Sequence, residues 1–141
     1  MTSQPVRAID TSVAVPLVVA SHHEHASVSS WARGQELVLS GHALIETYAV
    51  LTRLPGDARV SAADAATLID ERFGPPLQLT SRELRKAHRR LAERGVTGAA
   101  AYDGLVALAA REHGAVLVTR DARARSTYEA LGIAFELLAT S

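Results

Sequence analysis

Asp10, Glu46, Asp103 and Asp121 are carboxylates set in apolar company. Asp10 closes the run Val6-Arg7-Ala8-Ile9, and Asp121 closes Ala115-Val116-Leu117-Val118-Thr119-Arg120. Glu46 and Asp103 interrupt mostly apolar stretches of helical period. At that spacing Glu46 has His42, Ala43, Ala49 and Val50 as neighbours, and Asp103 has Ala99, Ala100, Val106 and Ala107. Asp64, Glu83 and Glu93, by contrast, keep polar neighbours and read as caps and surface. Burying an unpaired carboxylate is so costly that the group takes up a proton or acquires a charge partner. Each acid has an ordinary explanation taken alone: Asp10 or Ser12 caps the following helix, Asp121 caps its own, and Glu46 or Asp103 pairs with an arginine. Together they point elsewhere. Carboxylates converging from strand ends and helix faces repel one another unless a divalent cation neutralises them, and Mg²⁺ or Mn²⁺ prefers oxygen ligands. That combination suits phosphodiester hydrolysis, in which the ion activates water and stabilises charge building on the phosphate.

Short apolar runs alternating with longer segments of helical period must position these acids. The pattern predicts strands over 6–9, 36–39, 77–79, 115–119 and 134–138, the third being the weakest run. It predicts helices over 12–20, 24–33, 43–54, 62–73, 81–94, 99–113 and 122–131. Ser21 with Glu24, Ser61 with Asp64 and Thr80 with Glu83 have capping-box spacing. Gly34, Gly74, Gly95, Gly114 and Gly132 fall where helices should stop. Such alternation defines an α/β fold with a mainly parallel sheet covered on both faces, and ligands in these folds bind beyond the carboxyl ends of the strands. Asp10 and Asp121 stand at two such ends. If their strands are neighbours, the two acids face one crevice.

The 141 residues are most simply a single domain over 1–141, large enough for its own core. Fifteen basic and fifteen acidic side chains cancel, so only local patches bear on nucleic-acid binding. The absence of cysteine excludes disulfides, thiolate metal sites and cysteine nucleophiles. The N-terminal residues show no charged lead into a long apolar core, and the run over 13–20 is too short to span a bilayer. The expectation is a soluble cytoplasmic protein.

Ile9-Asp10-Thr11-Ser12, a helix bearing Glu46, Tyr102-Asp103-Gly104-Leu105 and Val118-Thr119-Arg120-Asp121, in this order and spacing, resemble the motifs of PIN-domain ribonucleases. In particular they resemble the VapC toxins of bacterial toxin–antitoxin pairs. The resemblance runs through the closing Tyr128-Glu129-Ala130-Leu131-Gly132-Ile133, while the stretch between Leu54 and Gly98 carries no motif. It implies a three-layer fold with central sheet order 3-2-1-4-5, Mg²⁺- or Mn²⁺-dependent RNA cleavage, homodimerisation, and inhibition by a cognate antitoxin. Asp10, Glu46, Asp103 and Asp121 would be its acidic set, supported by the hydroxyls of Thr119, Ser12 and Thr11.

Arg120 and Arg123, beside Asp121, are candidate RNA contacts. So are Arg85 and Arg89, in a basic segment with Arg82, Lys86, Arg90 and Arg94 that otherwise reads as a solvated helix face. His22-His23-Glu24-His25 carries metal-ligand residue types, but His22 and His25 lack a further ligand at matching spacing, and the segment reads as solvated surface. Trp31 reads as core or interface. Two other functions are open to an α/β chain with an acidic pocket: a phosphorelay receiver and a non-catalytic binding domain. The receiver fails because it needs a lysine at a late strand end, and the only lysine, Lys86, lies mid-helix.

Overall fold

Arg7–Ile9 forms β1, and Ala8 and Ile9 are both fully buried although successive side chains point to opposite sides of a strand. Leu37–Leu39 forms β2 and Val116–Thr119 forms β3, in which Leu117 and Val118 are buried in the same two-sided way. Phe135–Leu137 forms β4. All pairings are parallel, in the order β2-β1-β3-β4, with Ile9 between Leu39 and Val118. The computed structural model describes residues 6–139, so the start of the chain, where no leader is expected, lies largely outside the described residues.

The expected third strand shrinks to one parallel bridge between Leu77 and Ser40, on the outer edge of β2. Leu77 donates to the Leu39 carbonyl at 2.9 Å and accepts from the Gly41 amide at 2.7 Å. Pro75 and Pro76, just before it, have no N–H to extend the ladder. The expected order 3-2-1-4-5 therefore survives in outline, with its first position reduced to one residue.

The helices are α1 (Thr11–Val18), α2 (His25–Ala32), α3 (Ala43–Thr52), α4 (Ala62–Arg72), α5 (Ser81–Leu84), α6 (Ala87–Glu93), α7 (Ala100–Glu112) and α8 (Arg125–Ala130). α1 packs on α2 and α3, and α3 on α4; α7 packs on α6, α8 and β3. Together they bury the apolar sheet. Ser61 and Thr80 accept from the amides of Asp64 and Glu83, as the capping spacing predicts. Ser21 does not cap α2, whose first turn follows Glu24. The helix expected over 81–94 breaks between α5 and α6. Arg82 and Lys86, Arg85 and Arg89, and Lys86 and Arg90 would stand one turn apart in a continuous helix, and like charges at that spacing destabilise it. Among the described residues no helix is long and apolar enough to cross a membrane.

Two glycines permit close packing against or by α7. Gly41 joins β2 to α3 at a φ of +54°, and a Cβ there would lie 2.8 Å from the Leu105 carbonyl oxygen on α7. Only glycine allows α3 and α7 to approach this closely. Gly104, inside α7, leaves room for the Leu91 side chain of α6 in the same manner.

Candidate active site

Asp10 follows β1 in extended conformation and caps α1, its Oδ1 accepting from the Ser12 amide at 3.1 Å. The capping role and the site role coincide in one side chain. The Ser12 hydroxyl donates to the same oxygen at 2.5 Å, and the Tyr128 hydroxyl donates to Oδ2 at 2.8 Å. Asp10 is nearly buried, and desolvation pushes its carboxyl above the usual range against the opposing pull of the Ser12, Thr119 and Tyr128 hydroxyls. Tyr128 is itself fully buried, and desolvation together with the neighbouring acids keeps its phenol protonated, hence a donor.

Asp121 lies just beyond β3. Its amide donates to Thr119 Oγ1 at 3.0 Å, and its Oδ1 accepts from the Arg123 amide at 2.9 Å, which shortens the helix expected from 122 to α8. The fully buried Thr119 is 3.3 Å from the Ser12 hydroxyl, so the ends of β1 and β3 share one chain of hydrogen bonds. Thr11 reaches the Thr47 hydroxyl at 3.2 Å and ties α1 to α3 next to Glu46.

Glu46 lies in the first turn of α3 and Asp103 in the first turn of α7. Both helices thus present the positive end of their dipoles, where carboxylates are best tolerated. The acids nevertheless feel one another. Asp103 is pushed up to about 6, first by desolvation and then by the charges of Glu46, Asp10 and Asp121, with only His42 opposing. The charges of the other three predicted acids thus reach Asp103. Among the described residues no three His, Asp or Glu side chains sit close enough to grip an ion.

The remaining predicted residues divide. Arg120 and Arg123 border a groove of about 370 Å³ that also takes in Thr11, Ser12, His22 and Asp121. Arg85 and Arg89 are exposed on the α5–α6 segment, where Arg85 Nε donates to the Ser81 carbonyl; the ion pair there is Arg90 with Glu83 at 2.8 Å. The histidine-rich turn is not a metal cluster. His22 Nδ1 accepts from the Glu24 amide at 3.0 Å, consistent with a ring held neutral by desolvation, and His25 Nδ1 bonds the Pro16 carbonyl at 2.8 Å. Glu24, however, is not surface as expected: it is buried, accepts from Ser27 at 2.9 Å and faces Arg120.

Sequence reasoning passed over Tyr128 and Glu24 as site residues. Tyr128 shares a buried face with Ala124 and Leu131 at helical spacing, and a buried tyrosine needs a partner for its hydroxyl. That was the available signal.

Comparison with known proteins agrees with this geometry. Residues 8–130 match the PIN domain family. Ribonuclease VapC27 of Mycobacterium tuberculosis is 55% identical over 130 residues, covering 92% of this chain and 95% of its own length. The crystal structure of Mycobacterium tuberculosis VapC20, described as a Sarcin-Ricin loop cleaving toxin, superposes with a TM-score of 0.64 at 21% identity, covering 85% of this chain and 93% of that one. VapBC2 from Rickettsia felis, bound to a DNA fragment from its promoter, gives 0.63 at 14% identity over 95% and 99% of the two chains. The chain belongs to the PIN-domain family and is of the VapC type.

Proposed function

We propose that this protein is a divalent-metal-dependent endoribonuclease and the toxin of a toxin–antitoxin pair. The observation that carries the reading is the placement of Asp10 and Asp121 just beyond the carboxyl ends of two adjacent parallel strands, β1 and β3. The 55% identity to a ribonuclease over nearly the whole chain supports RNA as substrate. Asp10, Glu46, Asp103 and Asp121 would hold Mg²⁺ or Mn²⁺, which supplies an activated water and offsets charge on the scissile phosphate. Ser12 and Tyr128 fix the Asp10 carboxylate from both oxygens, and Thr119 does the same for the loop bearing Asp121.

A cognate antitoxin and a second copy of the chain are the proposed protein partners. The antitoxin rests on the VapC type and on the VapBC assembly among its structural relatives. Homodimerisation is supported by exposed apolar side chains: Ile45 at 62% and Leu84 at 54% border a hollow lined also by Leu44, Leu79 and Leu105, and Tyr102, next to Asp103 in sequence, is 55% exposed.

Incubation of the purified protein with total RNA and Mg²⁺ or Mn²⁺, followed by sequencing of new ends, tests the activity. Asp10→Asn and EDTA should each abolish the cuts; cleavage that persists equally in both would overturn the mechanism.

A further inference from the structure

Pro16 lies inside α1 and has no N–H to donate to the carbonyl of Ser12, four residues back. A buried carbonyl left without a donor is costly, so the chain must supply one from elsewhere. Arg120 does so: its Nη1 donates to Ser12 O at 3.1 Å, while its backbone amide donates to the Ser12 hydroxyl at 2.8 Å. That hydroxyl in turn holds Asp10. Arg120 therefore grips both ends of one residue in α1, and its side chain is only 11% exposed.

A guanidinium withdrawn from water needs a counter-charge. The carboxylate of Glu24, 6% exposed, lies 3.8 Å from Arg120 Nη2, and Ser27 anchors its other oxygen. Glu24 sits in the turn between α1 and α2, so the pair links that turn to the loop leaving β3. Arg123 also faces a carboxylate, Asp121 Oδ1 at 3.7 Å from its Nε, but its side chain is 96% exposed, at the rim of the groove that contains Asp121.

We infer that Glu24 and Arg120 are positioning residues, a strut that sets the loop bearing Asp121 against α1 and Asp10, and that Arg123 rather than Arg120 is the cation this loop offers to RNA. The strut stands on the geometry alone; only the assignment of Arg123 rests on the ribonuclease reading.

Hydrogen exchange read by mass spectrometry tests the strut without RNA or metal. In Glu24→Gln and Arg120→Gln the amides of residues 120 and 121 should exchange at least about tenfold faster than in the parent, while those of α7 keep their rate, because those two amides are protected by the side chains of Ser12 and Thr119. Arg123→Gln should exchange like the parent. Unchanged protection in Glu24→Gln, or loosening spread evenly through the molecule, would overturn the strut. A second arm measures binding of a fluorescent single-stranded RNA in EDTA across a salt series. Arg123→Gln should flatten the salt slope by about one ion, and Arg120→Gln and Glu24→Gln should leave it as it was. A slope reduced equally by Arg120→Gln would return Arg120 to the substrate. If the parent binds no RNA, the substrate reading falls, the Arg123 assignment falls with it, and the exchange rates alone decide the strut.

Discussion

Asp103 shows what the site costs the fold. Its folded-state pKa, about 6, lies above the ordinary aspartate range, so the folded protein binds its proton more tightly than the unfolded chain does. This contribution to stability is fully present below the ordinary aspartate pKa and is lost as pH rises through about 6. Asp103→Asn removes the titration. In melting experiments the variant should outlast the parent at neutral pH, with the gap closing below about pH 4, and Mg²⁺ should narrow the gap by stabilising the parent. Equal melting temperatures at neutral pH would mean that the acids do not burden one another. The four acids were legible because each interrupts an apolar pattern, a signal internal to its own segment. Glu24, Tyr128 and the carbonyl-gripping role of Arg120 were not, because each is defined by a partner far away in sequence. Arg120 looked like a substrate contact because a cation beside a carboxylate is all that the local sequence displays.

The elements were more readable than their ends. β1 and β3 announced themselves as apolar runs, and their adjacency followed from the family resemblance. What periodicity could not supply was the conflict of neighbouring charges that splits α5 from α6, or the two prolines that stop the edge strand at Leu77. Nor could it show that the turn entering α3 lies against α7, where Gly41 faces Leu105 and Ala109. That approach depends on Gly41. An alanine there would have to adopt a left-handed backbone and would press its Cβ against the Leu105 carbonyl oxygen at 2.8 Å and the Ala109 methyl at 3.1 Å. Strain of the first kind costs about 1–2 kcal/mol and overpacking about 1–3. Gly41→Ala should therefore lower the free energy of unfolding in urea by about 2–5 kcal/mol. A loss under about 1 kcal/mol would show that the helices can separate freely.

For the molecule as a whole, the exposed apolar residues make association testable. If Ile45, Tyr102 and Leu84 meet a second copy, the parent should sediment at the mass of two chains, and Ile45→Glu at the mass of one, with its helical content retained. A monomeric parent would remove the case for a dimer. The sheet order has one more consequence. β1, the first of the described strands in sequence, is central, and Asp10 waits for a tyrosine 118 positions later and a strand, β3, whose Thr119 reaches Ser12 across 107 positions. Contacts this distant in sequence form late in folding. On the ribonuclease reading, a chain folded only through α3 would hold Asp10 and Glu46 while still lacking Asp103, Asp121 and the Tyr128 hydroxyl that holds Asp10.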